Sequence, residues 1–285
     1  MIREWKIARR ALPVGERTLV MGVLNVTPDS FSDGGQFLSV ERALSRAEEM
    51  IAEGADVIDI GGESTRPGGE TVDTLEELRR TIPVIERLAS KTNVPLSVDT
   101  TKQEVARAAL QAGAEIVNDI SGLRFEPMLA DEAARARAGL VLMHSRGMRD
   151  ELHNLESIAD VMSEVATDFK RSIKEAERRG VERESIVLDP GIGFGKSFEQ
   201  NLELLAKLEL LVNDFADYPF LIGTSRKSFI GRLLDGAPVS KRIHGTMATV
   251  AIAALHGASI VRVHDVRAAI ETVRVGEAIR RAGKI

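Results

Sequence analysis

Leu19-Val20-Met21-Gly22-Val23-Leu24-Asn25-Val26-Thr27-Pro28-Asp29-Ser30-Phe31-Ser32-Asp33-Gly34-Gly35 is the stretch on which the fold turns. Residues 19–24 are apolar without alternation, the pattern of a parallel strand buried on both faces. The strand then delivers Asn25 and a polar, glycine-rich loop carrying one phenylalanine, a composition no core requires. A helical pattern begins near Ser39. Strand, polar loop and helix form the unit of an α/β protein, and the loop after the strand is where such proteins keep their chemistry.

The unit recurs along the chain. Short apolar runs at 19–24, 57–60, 96–98, 116–117, 140–143, 186–188, 220–222 and 260–263 read as strands. Helical patterns occupy 40–53, 75–90, 102–112, 128–138, 158–179, 198–211, 243–256 and 265–282. Gly54, Gly113, Gly139, Gly180 and Gly257 stand at helix ends, and Asp265 is placed to cap the last helix. Eight strands alternating with eight helices predict a closed (β/α)8 barrel, the TIM architecture. An open doubly wound sheet is the alternative, and the even spread of eight units favours closure. Before the first barrel strand, segments 6–8 and 17–19 around Val14-Gly15-Glu16 predict a β-hairpin closing the bottom of the barrel. No Pro/Ser-rich linker divides the chain, so one domain is expected over 1–285.

Composition narrows the function. The 285 residues suit a single barrel, and 44% hydrophobic content supplies a large core. A net charge of −5 without a basic block and an aromatic share of 4% argue against a nucleic-acid partner. Cysteine is absent, which excludes disulfides and thiolate metal sites and suits a cytoplasmic enzyme. No apolar leader and no run of membrane-spanning length is visible, so neither secretion nor a membrane partner is expected.

In a barrel of this kind the site lies at the C-terminal ends of the strands. There the chain places Asn25; Asp59 followed by Gly61-Gly62-Glu63-Ser64-Thr65-Arg66-Pro67-Gly68; Asp99-Thr100; and Asn118-Asp119. His144-Ser145-Arg146-Gly147, Asp189 to Lys196, Gly223 to Lys227, and Arg262-Val263-His264-Asp265 follow. Asp99, Asn118 and Asp189 suit the donor edge of a flat polar heterocycle. Arg66, Lys227, Arg262 and His264, with glycine-rich backbone amides, suit a phosphate or carboxylate. A substrate with a heterocycle and a diphosphate would use both sets.

Structural roles compete with these. Asp99 and Asp189 would serve equally as helix N-caps or rim ion pairs, and Asn118-Asp119 as a turn; only their convergence on one mouth favours function. Lys227 opens a helical pattern, where positive charge opposes the macrodipole, and that misfit supports a functional lysine. The run Asp189 to Lys196 lacks the Gly-Lys-Ser/Thr spacing of a Walker A loop. The five histidines show no zinc-ligand spacing.

At these motifs the chain resembles the dihydropteroate synthase family of pterin-binding barrels, from Met21 to Val266. The motifs that carry the likeness are 22–35, Gly61 to Gly68, Ser97-Val98-Asp99-Thr100, Val117 to Gly122, Leu188 to Lys196, Ser225-Arg226-Lys227-Ser228 and Arg262 to Val266. The resemblance implies a transferase of folate biosynthesis. It condenses (7,8-dihydropterin-6-yl)methyl diphosphate with 4-aminobenzoate to 7,8-dihydropteroate and diphosphate. Carried over by motif, Asp99, Asn118, Met143, Asp189, Lys227 and Arg262 would hold the pterin. Asn25, Arg66, Arg262 and His264 would bind the diphosphate, and Asn25 would also meet Mg²⁺. Phe31, Thr65, Arg66, Pro67, Phe194, Ser225 and Lys227 would form the 4-aminobenzoate pocket. Asp99, Lys227, Arg262 and Asn25 would be the catalytic set. The family implies mobile loops at 26–37 and 64–71, a homodimer, and sensitivity to sulfonamides, which mimic 4-aminobenzoate. The stretch 148–154 matches only loosely, and neither His144 nor His153 is assigned a role.

Two other functions remain to be weighed. A methyltetrahydrofolate-dependent methyltransferase would share the Asp and Asn contacts, but would not need the 25–33 loop, Ser-Arg-Lys or the Arg-Val-His anion site. A catalytically silent pterin-binding paralogue would be expected to have lost anion-binding residues, yet Asn25, Arg66, Lys227, Arg262 and His264 are all present.

Overall fold

The computed structural model describes residues 4–26, 36–63, 72–147 and 158–283. Strands β1 (Glu4–Ile7) and β2 (Arg10–Pro13) form an antiparallel hairpin. β3 (Leu19–Asn25), β4 (Val57–Gly61), β5 (Leu96–Asp99), β6 (Ile116–Asp119), β7 (Gly139–Met143), β8 (Ile186–Asp189), β9 (Leu221–Ile222) and β10 (Ile260–Val263) make one sheet. Its order is β8-β7-β6-β5-β4-β3-β10-β9, every pair parallel. The ends join through a parallel bridge between Leu188 and Phe220 and the Leu188 N–H to Pro219 carbonyl bond at 3.0 Å, which closes the sheet into a barrel.

Helices cover the outside. α1 (Gln36–Ala52), α2 (Thr74–Ala89), α3 (Gln103–Ala112), α4 (Leu129–Ala136) and α5 (Val161–Arg178) follow the first five barrel strands. α6 (Phe198–Ala206), α7 (Leu208–Asp214), α8 (Ser228–Leu233), α9 (Ile243–Leu255) and α10 (Val266–Ala282) complete the shell. Two apolar layers result from the two-residue period of the strands. Outward residues such as Val20, Ile58, Val98 and Leu188 pack under the helices. Inward residues at the strand starts, Leu19, Met21, Val57, Ile116, Val141, Val187, Leu221 and Ile260, form a separate cluster with Trp5 and Ile7. The hairpin therefore plugs the bottom, and Trp5 Nε1 donates to the Ser185 carbonyl at 2.9 Å.

Four expectations need correction. The hairpin turns at Ala8-Arg9 and pairs 4–7 with 10–13, not 6–8 with 17–19. Its alternation of exposed Glu4 and Lys6 with buried Trp5 and Ile7 sets the register, while Gly15, at φ 96°, lies in the link to β3. The 198–211 helix is broken at Lys207, with no glycine or proline to mark the break. Asp265 sits at the N-cap of α10 without capping, because its carboxylate is held by Arg226. Gly139 does not end α4. Arg137, left-handed at φ 51°, ends it, and Gly139 opens β7 where a Cβ would lie 2.8 Å from Ile7 and 2.9 Å from Trp5. Gly54, Gly113, Gly180 and Gly257 do adopt the positive φ expected of helix ends.

Candidate active site

The inward face that is apolar at the bottom becomes polar one step higher. Two residues beyond Val57, Ile116, Val187 and Ile260 along the same face stand Asp59, Asn118, Asp189 and Arg262. Parallel pairing brings Asp99 level with Asn118 and with Gly61, and Asn25 level with Gly61. A Cβ on Gly61 would lie 3.5 Å from that of Asp99 and 3.9 Å from Asn25 Oδ1, so these two side chains flank Gly61 on one side of the mouth.

Arg262 is the centre of the charge network. Its Nε donates to Asp59 Oδ2 at 2.6 Å and its Nη2 to Asp99 Oδ2 at 2.6 Å. Asn118 Nδ2 donates to the same Asp59 oxygen at 3.0 Å. Burial works against the guanidinium charge, but Asp59 and Asp99 more than offset it, so the arginine pKa rises above its ordinary value.

Asp189, buried at the end of β8, lies across Gly223 from Arg262: a Cβ on that glycine would be 4.0 Å from Asp189 Oδ2 and 3.8 Å from Arg262 Cβ. Asp189 Oδ1 accepts the Gly191 N–H at 2.7 Å. Burial raises its pKa, and the Gly191 N–H and Lys227 oppose that rise. Lys227, at the N-cap position of α8, donates to the Ile192 carbonyl, and its ammonium lies 4.0 Å from the Phe194 ring centroid. Burial pushes its pKa down to about 7 despite Asp189. Gly193, at φ 85°, is where the lysine passes, since a Cβ there would stand 2.7 Å from Lys227 Cδ. Ile120, Met143 and Phe194 make a small apolar wall beside these groups.

The rim above β9 and β10 is built by two linked motifs. Ser225 Oγ lies 2.9 Å from His264 Nδ1 and accepts the His264 backbone N–H at 3.2 Å. Arg226 forks onto the Asp265 carboxylate, with Nε to Oδ2 at 3.0 Å, and its backbone N–H donates to Thr246 Oγ1 at 3.0 Å. Its backbone is left-handed, at φ 60°. Arg226 is thus the clamp of Ser-Arg-Lys, tied to Asp265, while Ser225 meets His264 and Lys227 turns toward Ile192 and Phe194.

Asn25, Asp99, Asn118, Met143, Asp189, Phe194, Ser225, Lys227, Arg262 and His264 all lie at this end of the barrel. Phe31, Thr65, Arg66 and Pro67, with most of both expected loops, lie outside the described residues. Asp119 has a structural role: its two oxygens accept from Ser121 and Leu123 and fold the turn after β6. Lys196 donates to the carbonyls of Gly191 (2.8 Å), Phe194 (3.0 Å) and His144 (3.3 Å), bracing the loop after β8. His144 is buried, and burial with Lys196 and Arg124 pushes its pKa to about 2, so it stays neutral. Asp59 carried no role in the sequence. Its signal was an acid inside an apolar strand, in step with the inward face.

The comparisons agree along almost the whole chain. A family model described as pterin binding enzyme matches residues 21–264. The chain belongs to the pterin binding enzyme family. It is 50% identical over 267 residues to the dihydropteroate synthase of Synechocystis sp., covering 94% of this chain and 92% of the relative. The dihydropteroate synthase of Xanthomonas albilineans, solved with 4-aminobenzoic acid, superposes with a TM-score of 0.90 at 44% identity, covering 98% of this chain and 99% of that one. The same enzyme in complex with 7,8-dihydropteroate gives 0.86 at 42% identity, covering 97% and 98%.

Proposed function

We propose that this protein is a dihydropteroate synthase, joining (7,8-dihydropterin-6-yl)methyl diphosphate to 4-aminobenzoate with release of diphosphate. The observation that carries the proposal is the group of Asp99, Asn118, Asp189 and Arg262 on the inward strand ends with Lys227 at the start of α8, in a chain 50% identical to a dihydropteroate synthase. Its support is chemical. A pterin has a donor-rich pyrimidinone edge, and Asp189 and Asn118 offer acceptors to it. Its flat ring suits both the apolar surface of Met143 and Phe194 and the planar face of the Arg262 guanidinium.

In the reaction the bond from the pterin methylene carbon to the diphosphate oxygen breaks, and its electron pair leaves with the diphosphate. Asp99 stabilises the positive charge that spreads into the ring. Asn25, Arg66, Arg262 and His264 hold the leaving group, with Ser225 setting the His264 ring. The amine of 4-aminobenzoate then forms the new C–N bond and loses a proton. Phe31, Thr65, Arg66, Pro67, Phe194, Ser225 and Lys227 bind that second substrate. No protein nucleophile is required.

Mg²⁺ belongs to the proposal. Among the described residues no group of three His, Asp or Glu side chains could hold a metal. Asn25, together with the substrate's diphosphate and water, would hold Mg²⁺, an ion that commonly keeps several waters and takes few protein ligands. When bound, the ion supplies positive charge against the departing diphosphate.

The reading extends to one barrel domain over 1–285 acting as a cytoplasmic homodimer. No described helix is long and apolar enough to cross a membrane. Exposed Leu233 and Leu234 at the end of α8, Ile252 on α9, and Val275 and Ile279 on α10 support a subunit contact. The test is direct: purified protein with both substrates and Mg²⁺ should form dihydropteroate, and sulfonamides should compete with 4-aminobenzoate. Pterin binding without any dihydropteroate would sink the proposal.

A further inference from the structure

Asp59 takes no part in the reaction as written above, yet it lies at the heart of the site. It sits on β4, fully buried. Its Oδ2 accepts from Arg262 Nε and from Asn118 Nδ2. Those donors stand on β10 and β6, each two strands away on opposite sides of β4. One oxygen therefore ties three strands together across the barrel interior. The other, Oδ1, is buried with no hydrogen-bond partner among the described residues. A half-satisfied buried carboxylate is a poor way to stabilise a core, where apolar packing does better.

We propose that Asp59 is a positioning residue that sets the orientation of both Asn118 and Arg262 for pterin recognition. The proposal rests on the pterin reading of the site. A carboxylate only accepts. Facing one, the Asn118 carboxamide must turn its Nδ2 inward, which leaves Oδ1 on the other side as an acceptor. A carboxamide free to flip would offer a donor there half the time and meet the pterin's N–H groups with its own. The same carboxylate oxygen holds Arg262 at Nε while Asp99 holds it at Nη2. A planar guanidinium held at two points cannot rotate, so its face stays parallel to a ring lying over it. Asp59 thus fixes donor–acceptor polarity at one position and plane orientation at another, without contact with substrate.

Asp59→Asn tests this with little change of volume. Its carboxamide can turn an NH₂ toward Arg262 or Asn118, and Asn118 is released to flip. The expected result is a loss of tenfold or more in affinity for a pterin probe, 6-carboxypterin. A similar loss in kcat/KM for the dihydropterin diphosphate should accompany it, while KM for 4-aminobenzoate stays within twofold. In an Asn118→Ala background the same substitution should cost less, because one of its two targets is gone. Pterin affinity within twofold of the parent overturns the proposal, and so does an equal loss for both substrates. If Asp59→Asn does not fold, the parent answers instead. With ¹⁵N-arginine labelling and assignment through Arg262→Lys, the Arg262 Nε–H should be protected from exchange; a rapidly exchanging Nε–H overturns the proposal. A parent that makes no dihydropteroate defeats the function proposal, whereas an active parent with an indifferent Asp59→Asn defeats only this one.

Discussion

At the residue scale, the site is held together by charges that would be costly elsewhere. Lys227 is the clearest. Burial lowers its pKa to about 7, so the folded protein resists its charge when no anionic ligand is present. The sign follows from linkage. Below about pH 7 the lysine is charged folded and unfolded, and the full cost of burying the ammonium is carried. Between about pH 7 and the ordinary value of 10.5 the folded state gives up its proton first, and that cost declines. Lys227→Met should therefore abolish turnover yet melt above the parent at about pH 6, with the advantage shrinking toward pH 10. Thermal melts across that range check it, and a lower melting point at pH 6 would contradict it. Single residues were legible where a motif delivered them to a strand end, as with Asp99, Asn118, Asp189 and Lys227. Asp59 and Arg226 were less so, because their partners are remote in sequence: Arg262 is 203 residues from Asp59, and Asp265 is 39 from Arg226.

At the element scale, strand parity decides what a residue can do. Continuous apolar runs identify buried strands, but which residues face the barrel interior depends on register. Once Met21 faces in, so do Val57, Ile116, Val187 and Ile260, and the next inward step carries the polar groups. The same layer explains Gly139. The sequence marked it as a helix stop, but its lack of a Cβ admits Trp5 and Ile7 of the plug. Gly139→Ala should destabilise the protein by about 1–3 kcal/mol through overpacking. Urea unfolding followed by the fluorescence of Trp5, the sole tryptophan, measures this. Pterin affinity should hold within twofold, because the plug lies at the opposite end of the barrel; an unchanged midpoint would refute the packing argument.

At the scale of the whole molecule, closure is what makes a site from eight separate ends. The Leu188–Phe220 bridge brings β8 beside β9, so Asp189 faces the groups of β10 and β4 rather than an open edge. Subunit association is argued at this scale too. The proposed homodimer predicts that the parent sediments at twice its 31.0 kDa chain mass, and that Val275→Glu with Ile279→Glu, exposed and one turn apart on α10, returns it to a single chain mass. Sedimentation velocity measures it: a parent that runs as a single chain overturns the homodimer, and a variant that still pairs overturns the α10 contact.

The sequence by itself determined the barrel, most of its strands and helices, the end of the barrel that does chemistry, and the residues delivered there. Those properties are written in short-range order: apolar runs, glycine stops and polar loops, each set by local sterics and burial. Only the tertiary structure decided the register of the hairpin, the use of Gly139, the clamp from Arg226 to Asp265 and the place of Asp59 between Asn118 and Arg262. These depend on which side chains meet across the barrel, and no local pattern contains that distance.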